Sequence, residues 1–171
     1  IYAFLMTSGY DNANQRRSTL GFQMHKAKRI FAIADFKNES PRSVFLEERR
    51  IVKGLIRLGH DVQQFSYRNI LTQFNPFSGK HFRRFMPRFV RARADNILAE
   101  QIEKYFPDIV MLLSMKYTTP QTVAAIRNAA PNVVLLGRDG DPYPETKPER
   151  LAVGRMMDIV VMPSAGRFLE A

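Results

Sequence analysis

The chain has 171 residues, 45% hydrophobic and 25% charged, and this balance excludes an intrinsically disordered protein. It has no cysteine, which excludes disulfides, thiol catalysis and thiolate-ligated metal centres, and its three histidines are too scattered to suggest a metal site. Its net charge of +10 favours an anionic partner, such as nucleic acid, acidic phospholipid or a phosphorylated metabolite.

Apolar runs that predict strands alternate with helical patterns along the first half of the chain. Residues 29–34 (RIFAIA) predict the first strand, and residues 60–67 predict the second. The stretch between them places apolar residues on one face at helical spacing: Val44, Phe45, Ile51, Val52, Leu55 and Leu58. Gly59 marks the end of that helix. Residues 68–88 contain Pro76, Gly79 and Pro87 and are expected to be irregular.

The second half continues the alternation. The predicted elements are a helix over 88–106, a strand over 109–113, a helix that begins at Thr119-Pro120, a strand over 132–137, a helix over 147–156 and a strand over 158–162. This order predicts a doubly wound, mostly parallel sheet of about five strands, a Rossmann-like α/β domain. We expect that domain to occupy residues 28–171, and residues 1–27 to form an N-terminal arm or extension.

The loops that follow the predicted strands hold the candidate site, because ligands of such sheets bind beyond the carboxyl ends of the strands. The candidate substrate-binding residues in these loops are Asp35, Ser40, Ser43, Lys116, Tyr117, Arg138 and Ser164. The first loop (ADFKNESPRS) has no glycine, which argues against a dinucleotide-binding fingerprint, and no P-loop pattern occurs. The two serines of that loop can simply cap a helix, or they can help to bind an anion at its start.

Asp139 and Asp141 stand where the fourth predicted strand opens into a loop, in VVLLGRDGDPYPETKP (133–148). Asp-Gly and Asp-Pro are turn formers, so the loop can be a rigid turn. A carboxylate at this end of a strand can also face a ligand and accept a proton from an attacking hydroxyl. Two carboxylates without further ligands do not predict a metal site.

The segment KHFRRFMPRFVRAR (80–93) carries six Lys or Arg residues, no acid and three interleaved phenylalanines. This pattern suits single-stranded nucleic acid or an anionic membrane surface. It suits equally well a solvated helix face whose phenylalanines enter the core. Pro87 interrupts a continuous amphipathic helix, which weakens the membrane interpretation, and nucleic acid is the less favoured partner.

Three stretches together resemble the amino-terminal domain of two-domain, GT-B-type glycosyltransferases, especially the CgeB-like group. They are LEERRIVKGLIRLGHDVQQFSY, FPDIVMLLSMKYTTPQTVAAIR, and VVLLGRDGDPYP followed by MMDIVVMPSAG. In that group the fourth strand runs into an Asp-Asp-Pro-like loop. This chain has Gly140-Asp141-Pro142 there, so Asp141 matches the pattern and Asp139 departs from it.

The resemblance implies transfer of a sugar from a nucleoside diphosphate donor to an acceptor hydroxyl in glycan or glycoconjugate synthesis. Asp141 would act as the base, with Asp139 as the second candidate catalytic residue. The nucleotide-sugar is a substrate, and no further cofactor or metal is implied. This half would contact the glycan acceptor, and we expect the donor-binding C-terminal domain to lie outside this sequence. A cytoplasmic location is expected, peripheral at the inner membrane face if Lys80–Arg93 binds lipid.

Two other function classes stay open. One is a noncatalytic Rossmann-like binding module, of the receiver or sensor kind, with Asp35 as its acidic residue. Receivers carry a phospho-acceptor aspartate at the end of strand three, however, and this chain has Ser114-Met115-Lys116 there. The other is a nucleic-acid-binding domain that uses residues 80–93, for which affinity would fall steeply with salt.

Overall fold

A computed structural model describes residues 26–36, 46–74, 88–138 and 148–161. The strands in these ranges are β1 (Arg29–Ala34), β2 (Asp61–Ser66), β3 (Ile109–Leu112), β4 (Val134–Arg138) and β5 (Ile159–Val161). The helices are α1 (Leu46–Arg57), α2 (Tyr67–Phe74), α3 (Arg88–Tyr105), α4 (Pro120–Ala129) and α5 (Pro148–Arg155), with a 3-10 turn at Met115–Tyr117.

The strands form one sheet in the order β2-β1-β3-β4-β5, and every neighbouring pair is parallel. The predicted Rossmann-like parallel sheet is therefore confirmed. β1 lies between β2 and β3, so that Ile30 pairs with Val62 on one side and with Ile109 on the other. The chain passes from β1 to β2 on one side, and β3 then pairs with β1 on the other side. The gap between the carboxyl ends of β1 and β3 is therefore the switch point of the sheet.

Alternate side chains of β1 enter two different cores, because successive residues of a strand face opposite sides of the sheet. Phe31 and Ile33 join the larger core with residues of α2, α3, α4 and α5. Ala32 and Ala34 join a smaller core with Val52 of α1. The buried residues of α3 that fill the larger core recur at helical spacing: Val90, Ala94, Leu98 and Ile102.

The structure corrects two details of the sequence prediction. Residues 68–88 are not irregular throughout, since α2 follows β2 without an intervening loop and buries Tyr67 and Leu71. Leu58 does not lie on the buried face of α1, because it follows the last helical residue and is 73% exposed. The turn at Gly59, whose φ of 85° suits glycine, directs the chain away from the helix axis at this point.

Side chains at the amino edge of the sheet hold the strands in register. His60 Nδ1 accepts a hydrogen bond from the Lys28 amide at 3.2 Å, and Asp108 Oδ2 accepts one from the Arg29 amide at 2.8 Å. These polar groups serve pairing between neighbouring strands. None of the helices in the described ranges is long and apolar enough to cross a membrane.

Candidate functional site at the carboxyl edge of the sheet

An ion pair joins the segments that follow β1 and β2. Arg68 Nη1, in the first turn of α2, donates to Asp35 Oδ2 at 2.6 Å. The Asp35 side chain is 4% exposed, whereas that of Arg68 is 30% exposed, so the carboxylate anchors a guanidinium that still reaches the surface. The hydrogen bond to Asp35 raises the pKa of Arg68 above its ordinary value, and the charge of Arg68 is therefore permanent.

Tyr117 brings the segment after β3 to the same place. The Arg68 guanidinium carbon lies 5.7 Å from the centre of the Tyr117 ring. The Tyr117 carbonyl accepts a hydrogen bond from Arg91 Nη1 of α3 at 2.9 Å. Asp35, Arg68 and Tyr117, which we call the rim cluster, therefore lie at the switch point between β1 and β3 and connect through Arg91 to the start of α3.

Gly137 explains how the turn that carries Tyr117 approaches β4 so closely. A Cβ atom at Gly137 would lie 3.0 Å from Met115 Sδ and 3.0 Å from Met157 Cγ. Met115 is 3% exposed and packs into the core at the start of the 3-10 turn. The absence of a side chain at Gly137 thus lets this turn rest on the end of β4.

A second polar group at this edge links β4 to α1. Arg138, the last residue of β4, forms a salt bridge with Glu47 in the first turn of α1. The neighbouring Glu48 is 9% exposed, and its Oε2 has no hydrogen-bond partner among the described residues. Burial raises the pKa of Glu48, and the charges of Glu47 and Asp35 raise it further, although Arg138 acts in the opposite direction.

A buried hydrogen-bond network holds the helices behind the rim cluster. The Tyr67 hydroxyl donates to Asp95 Oδ1 at 2.5 Å and lies 3.3 Å from Thr122 Oγ1. Thr122 belongs to the capping box of α4, in which Thr119 Oγ1 accepts from the Thr122 amide at 3.2 Å. Burial and the bond to Asp95 raise the pKa of Tyr67 far above its ordinary value, so the hydroxyl stays a donor. This network fixes α2, α3 and α4 relative to one another.

An open cavity of about 550 Å³ lies between the starts of α3 and α4, on the side of the rim cluster where Arg91 reaches Tyr117. Its lining residues are Arg88, Arg91, Ala92, Asp95, Thr119 and Gln121. No group of three or more His, Asp or Glu residues in the described ranges is arranged to hold a metal ion.

The predicted site residues meet different outcomes. Asp35 and Tyr117 lie together in the rim cluster, and Arg138 lies at the same edge in its pair with Glu47. Lys116 belongs to the 3-10 turn, but its side chain is outside the described residues. The remaining candidates also fall outside the described residues: Ser40, Ser43, Asp139, Asp141 and Ser164.

Sequence reasoning missed Arg68 and Glu48, and it selected Arg91 only as part of the basic segment 80–93. The rule that selects the residues after each strand could have identified Arg68, since Arg68 lies two residues beyond the end of β2. The other signals are tertiary, because Arg91 meets Tyr117 across 26 positions of sequence, and Glu48 is otherwise an ordinary acidic residue in the first turn of a helix.

No protein-family model matches the chain, and no curated protein matches it. Solved structures with a similar fold include a signal receiver domain of a modulated diguanylate cyclase from Desulfovibrio desulfuricans G20, with 13% identity, a TM-score of 0.48, and coverage of 85% of this chain and 89% of that one. Another is the chemotaxis protein CheY4 of Vibrio cholerae, with 14% identity, a TM-score of 0.45, and coverage of 82% and 89%.

A third similar structure is the N-terminal domain of a response regulator receiver protein from Methanoculleus marisnigri JR1, with 16% identity, a TM-score of 0.44, and coverage of 84% and 89%. Likeness at these identities concerns the fold alone and carries no statement about ligand or activity. The strand order of the present chain, β2-β1-β3-β4-β5, is the flavodoxin-type order of doubly wound sheets. The chain has a Rossmann-like α/β fold with this order.

Proposed function

We propose that this chain is a Rossmann-like binding module that takes an anionic ligand at the carboxyl edge of its sheet. One observation carries the proposal: the segments after β1, β2 and β3 meet in the rim cluster at the switch point, where sheets of this class bind their ligands. Arg68 offers a fixed positive charge there, and Tyr117 offers an aromatic ring beside it. A guanidinium held by a buried carboxylate is preorganised, and such a group binds phosphate with little loss of side-chain entropy.

Titration calorimetry of the purified chain with nucleoside diphosphates, nucleotide-sugars and uncharged oligosaccharides tests this proposal. We expect saturable binding of a phosphate-bearing compound, weakened about tenfold or more by Arg68→Lys, because an ammonium keeps the charge but loses the planar fork. Arg29→Ala is the matched control, since Arg29 lies at the amino edge, where it is half exposed and only 3.7 Å from Asp61. Absence of binding by nucleoside diphosphates and nucleotide-sugars, or equal affinity of Arg68→Lys and the wild type, would contradict the proposal.

We also propose a more specific second candidate, the acceptor-side domain of a nucleotide-sugar-dependent glycosyltransferase. Its support is the sequence resemblance of the three stretches, together with the position of Arg138. Arg138 ends β4 at the same edge of the sheet as Asp35, and the loop that carries Asp139 and Asp141 begins directly after it. β4 therefore ends at the edge of the sheet where the rim cluster lies.

Sugar transfer by the protein expressed from its complete reading frame tests this second candidate. Asp141→Asn should lower the turnover about 100-fold or more, the usual contribution of a general base, without changing the melting temperature. Glu149→Gln is the control, because Glu149 is an exposed acidic residue in the first turn of α5 and is not among the candidate site residues. Unchanged turnover in Asp141→Asn, or equal losses in both variants, would remove Asp141 from the mechanism.

A further inference from the structure

The cavity between the starts of α3 and α4 carries a charge distribution that the rim cluster does not explain. Two of its six lining side chains are guanidinium groups, Arg88 and Arg91, and one is a carboxylate, Asp95. Asp95 is 7% exposed and already accepts the Tyr67 hydroxyl at 2.5 Å. The surface that remains open to a ligand is therefore positive.

The start of α3 increases this positive potential. Its first six residues read RFVRAR, with three arginines, and its first turn has no acidic residue. The amino end of a helix carries partial positive charge, so cations placed there repel it unless an anion lies nearby. Arg93, the third arginine, lies 4.4 Å from the centre of the Phe74 ring and is engaged outside the cavity lining. Arg88 and Arg91 are left to meet an anion inside the cavity.

The two arginines differ in how firmly they are held. Arg91 donates through Nη1 to the Tyr117 carbonyl at 2.9 Å, which fixes its guanidinium in the cavity lining and leaves its other N–H groups as further donors. Arg88 is exposed at the first position of α3, and no hydrogen bond or ion pair joins it to another residue in the described ranges. The Gln121 side chain, exposed at the start of α4, adds a neutral donor on the opposite wall.

We propose that this cavity is a binding subsite for the phosphate or diphosphate group of a small-molecule ligand. Arginine forks match the geometry of phosphate oxygens, and a volume of about 550 Å³ has room for a diphosphate with part of the group attached to it. The inference rests on the proposed binding function and deepens it. Arg91 links the two parts, because it lines the cavity and supports the Tyr117 carbonyl of the rim cluster.

Binding of inorganic phosphate and pyrophosphate to the purified chain, measured by calorimetry and by thermal shift at about 50 mM salt, tests the subsite. We expect pyrophosphate to bind more tightly than phosphate and to raise the melting temperature. Arg88→Gln should weaken pyrophosphate about fivefold or more, and Arg88→Gln/Arg91→Gln should weaken it further. Since Arg88 is exposed, the Arg88→Gln variant should fold normally. Its pyrophosphate affinity therefore still tests the subsite if the double variant does not fold.

A charge-matched control separates a site from diffuse attraction. Lys53→Gln/Arg57→Gln removes two charges from exposed positions of α1, outside the cavity, and should leave pyrophosphate affinity unchanged. Equal weakening by the control and by Arg88→Gln/Arg91→Gln, or no pyrophosphate binding by the wild type, would overturn the subsite. If Arg88→Gln leaves affinity unchanged while Arg68→Lys weakens a nucleotide ligand, the subsite fails and the proposed function stands. If pyrophosphate binds through Arg88 but no ligand responds to Arg68→Lys, the subsite stands and ligand binding at the rim cluster fails.

Discussion

Glu48 lies in the first turn of α1 with one carboxylate oxygen, Oε2, buried and without a hydrogen-bond partner in the described part of the chain. Burial raises its pKa above the ordinary value of 4.5, so the folded state binds a proton more tightly than the unfolded state does. The stability of the protein should therefore fall as the pH rises from that ordinary value through the raised one. Above the raised pKa, the ionised Glu48 costs stability.

Replacement of this carboxylate by a neutral amide should stabilise the fold. We expect Glu48→Gln to raise the melting temperature at pH 7 by about 2–4 °C, the shift that ~1 kcal/mol causes in a domain of this size, and to leave it unchanged near pH 4. Glu47→Gln is the control, since the Glu47 side chain is 61% exposed and pairs with Arg138. Thermal melts at both pH values measure this, and a Glu48→Gln variant less stable than the wild type at pH 7 would refute it.

At the level of elements, the sequence Asp-Ile-Val occurs at the start of both β3 and β5, and its aspartate makes the same contact in each case. Each aspartate precedes its strand, donates its amide to a carbonyl of the neighbouring strand, and accepts the amide of that same residue on its carboxylate. Asp108 makes this exchange with Arg29 of β1, and Asp158 makes it with Leu135 of β4. Asp158 also accepts two hydrogen bonds from Arg127 Nη2, at 2.7 and 2.8 Å. The motif therefore fixes strand register from within the sequence.

The hydrogen bonds from Leu135 and Arg127 lower the pKa of Asp158 below its ordinary value of 3.8. Its stabilising effect is present above that value and is lost as the pH falls through the lowered one. We expect Asp158→Asn to lower stability at pH 7 by no more than ~1 kcal/mol, because the side chain is 45% exposed, and the difference should be smaller at pH 2. Urea unfolding at both pH values measures this.

Asp61→Asn serves as the control for that experiment. In the described ranges the Asp61 carboxylate accepts no strand amide. It lies 3.7 Å from Arg29, and its side chain is 64% exposed. A loss in Asp61→Asn as large as that in Asp158→Asn would show that charge alone, and not the strand contact, sets the effect.

The elements were predictable where one local pattern decides and unpredictable where two compete. Apolar runs between polar loops gave the five strands, and the Thr119-Pro120 pair gave the start of α4, which the capping box confirms. α2 was missed because it starts directly at the end of β2 and lies before a stretch rich in proline and glycine. Its apolar residues do follow helical spacing, at Tyr67, Ile70, Leu71 and Phe74.

At the scale of the whole molecule, burial falls from the centre of the sheet towards β5. Residues 30–34 of β1 are all buried between two neighbouring strands, whereas Ile159 and Val160 of β5 are 48% and 39% exposed. Opening of the central strands requires loss of both cores, so their amides should exchange only through global unfolding.

We therefore expect amide hydrogen exchange, followed by mass spectrometry, to be slowest in β1 and β3 and at least about tenfold faster in β5 and α5. Peptides from β2 provide the internal reference for a strand at the opposite edge of the sheet, with one neighbour, β1, in the described ranges. Uniform exchange rates along the chain would contradict this gradient.

The edge of the sheet that holds the candidate site was predictable from the sequence, but the contacts within that site were not. Parallel strands in alternation with helices require all strand ends to gather at one edge, and Asp35, Tyr117 and Arg138 were selected for this reason. The partners of each ion pair depend on distances in the folded chain. Asp35 meets Arg68 across 33 positions, and Arg138 meets Glu47 across 91.

The close approach at Gly137 also exposes the site to chemical damage. The Met157 and Met115 thioethers flank the glycine, and Met157 is half-buried, so we expect it to be the more readily oxidised of the two. A sulfoxide would add a polar oxygen where the packing leaves no space for it. Oxidation in a stored sample would then push the turn that carries Tyr117 away from β4, and we expect the rim cluster to be displaced while the sheet is still intact.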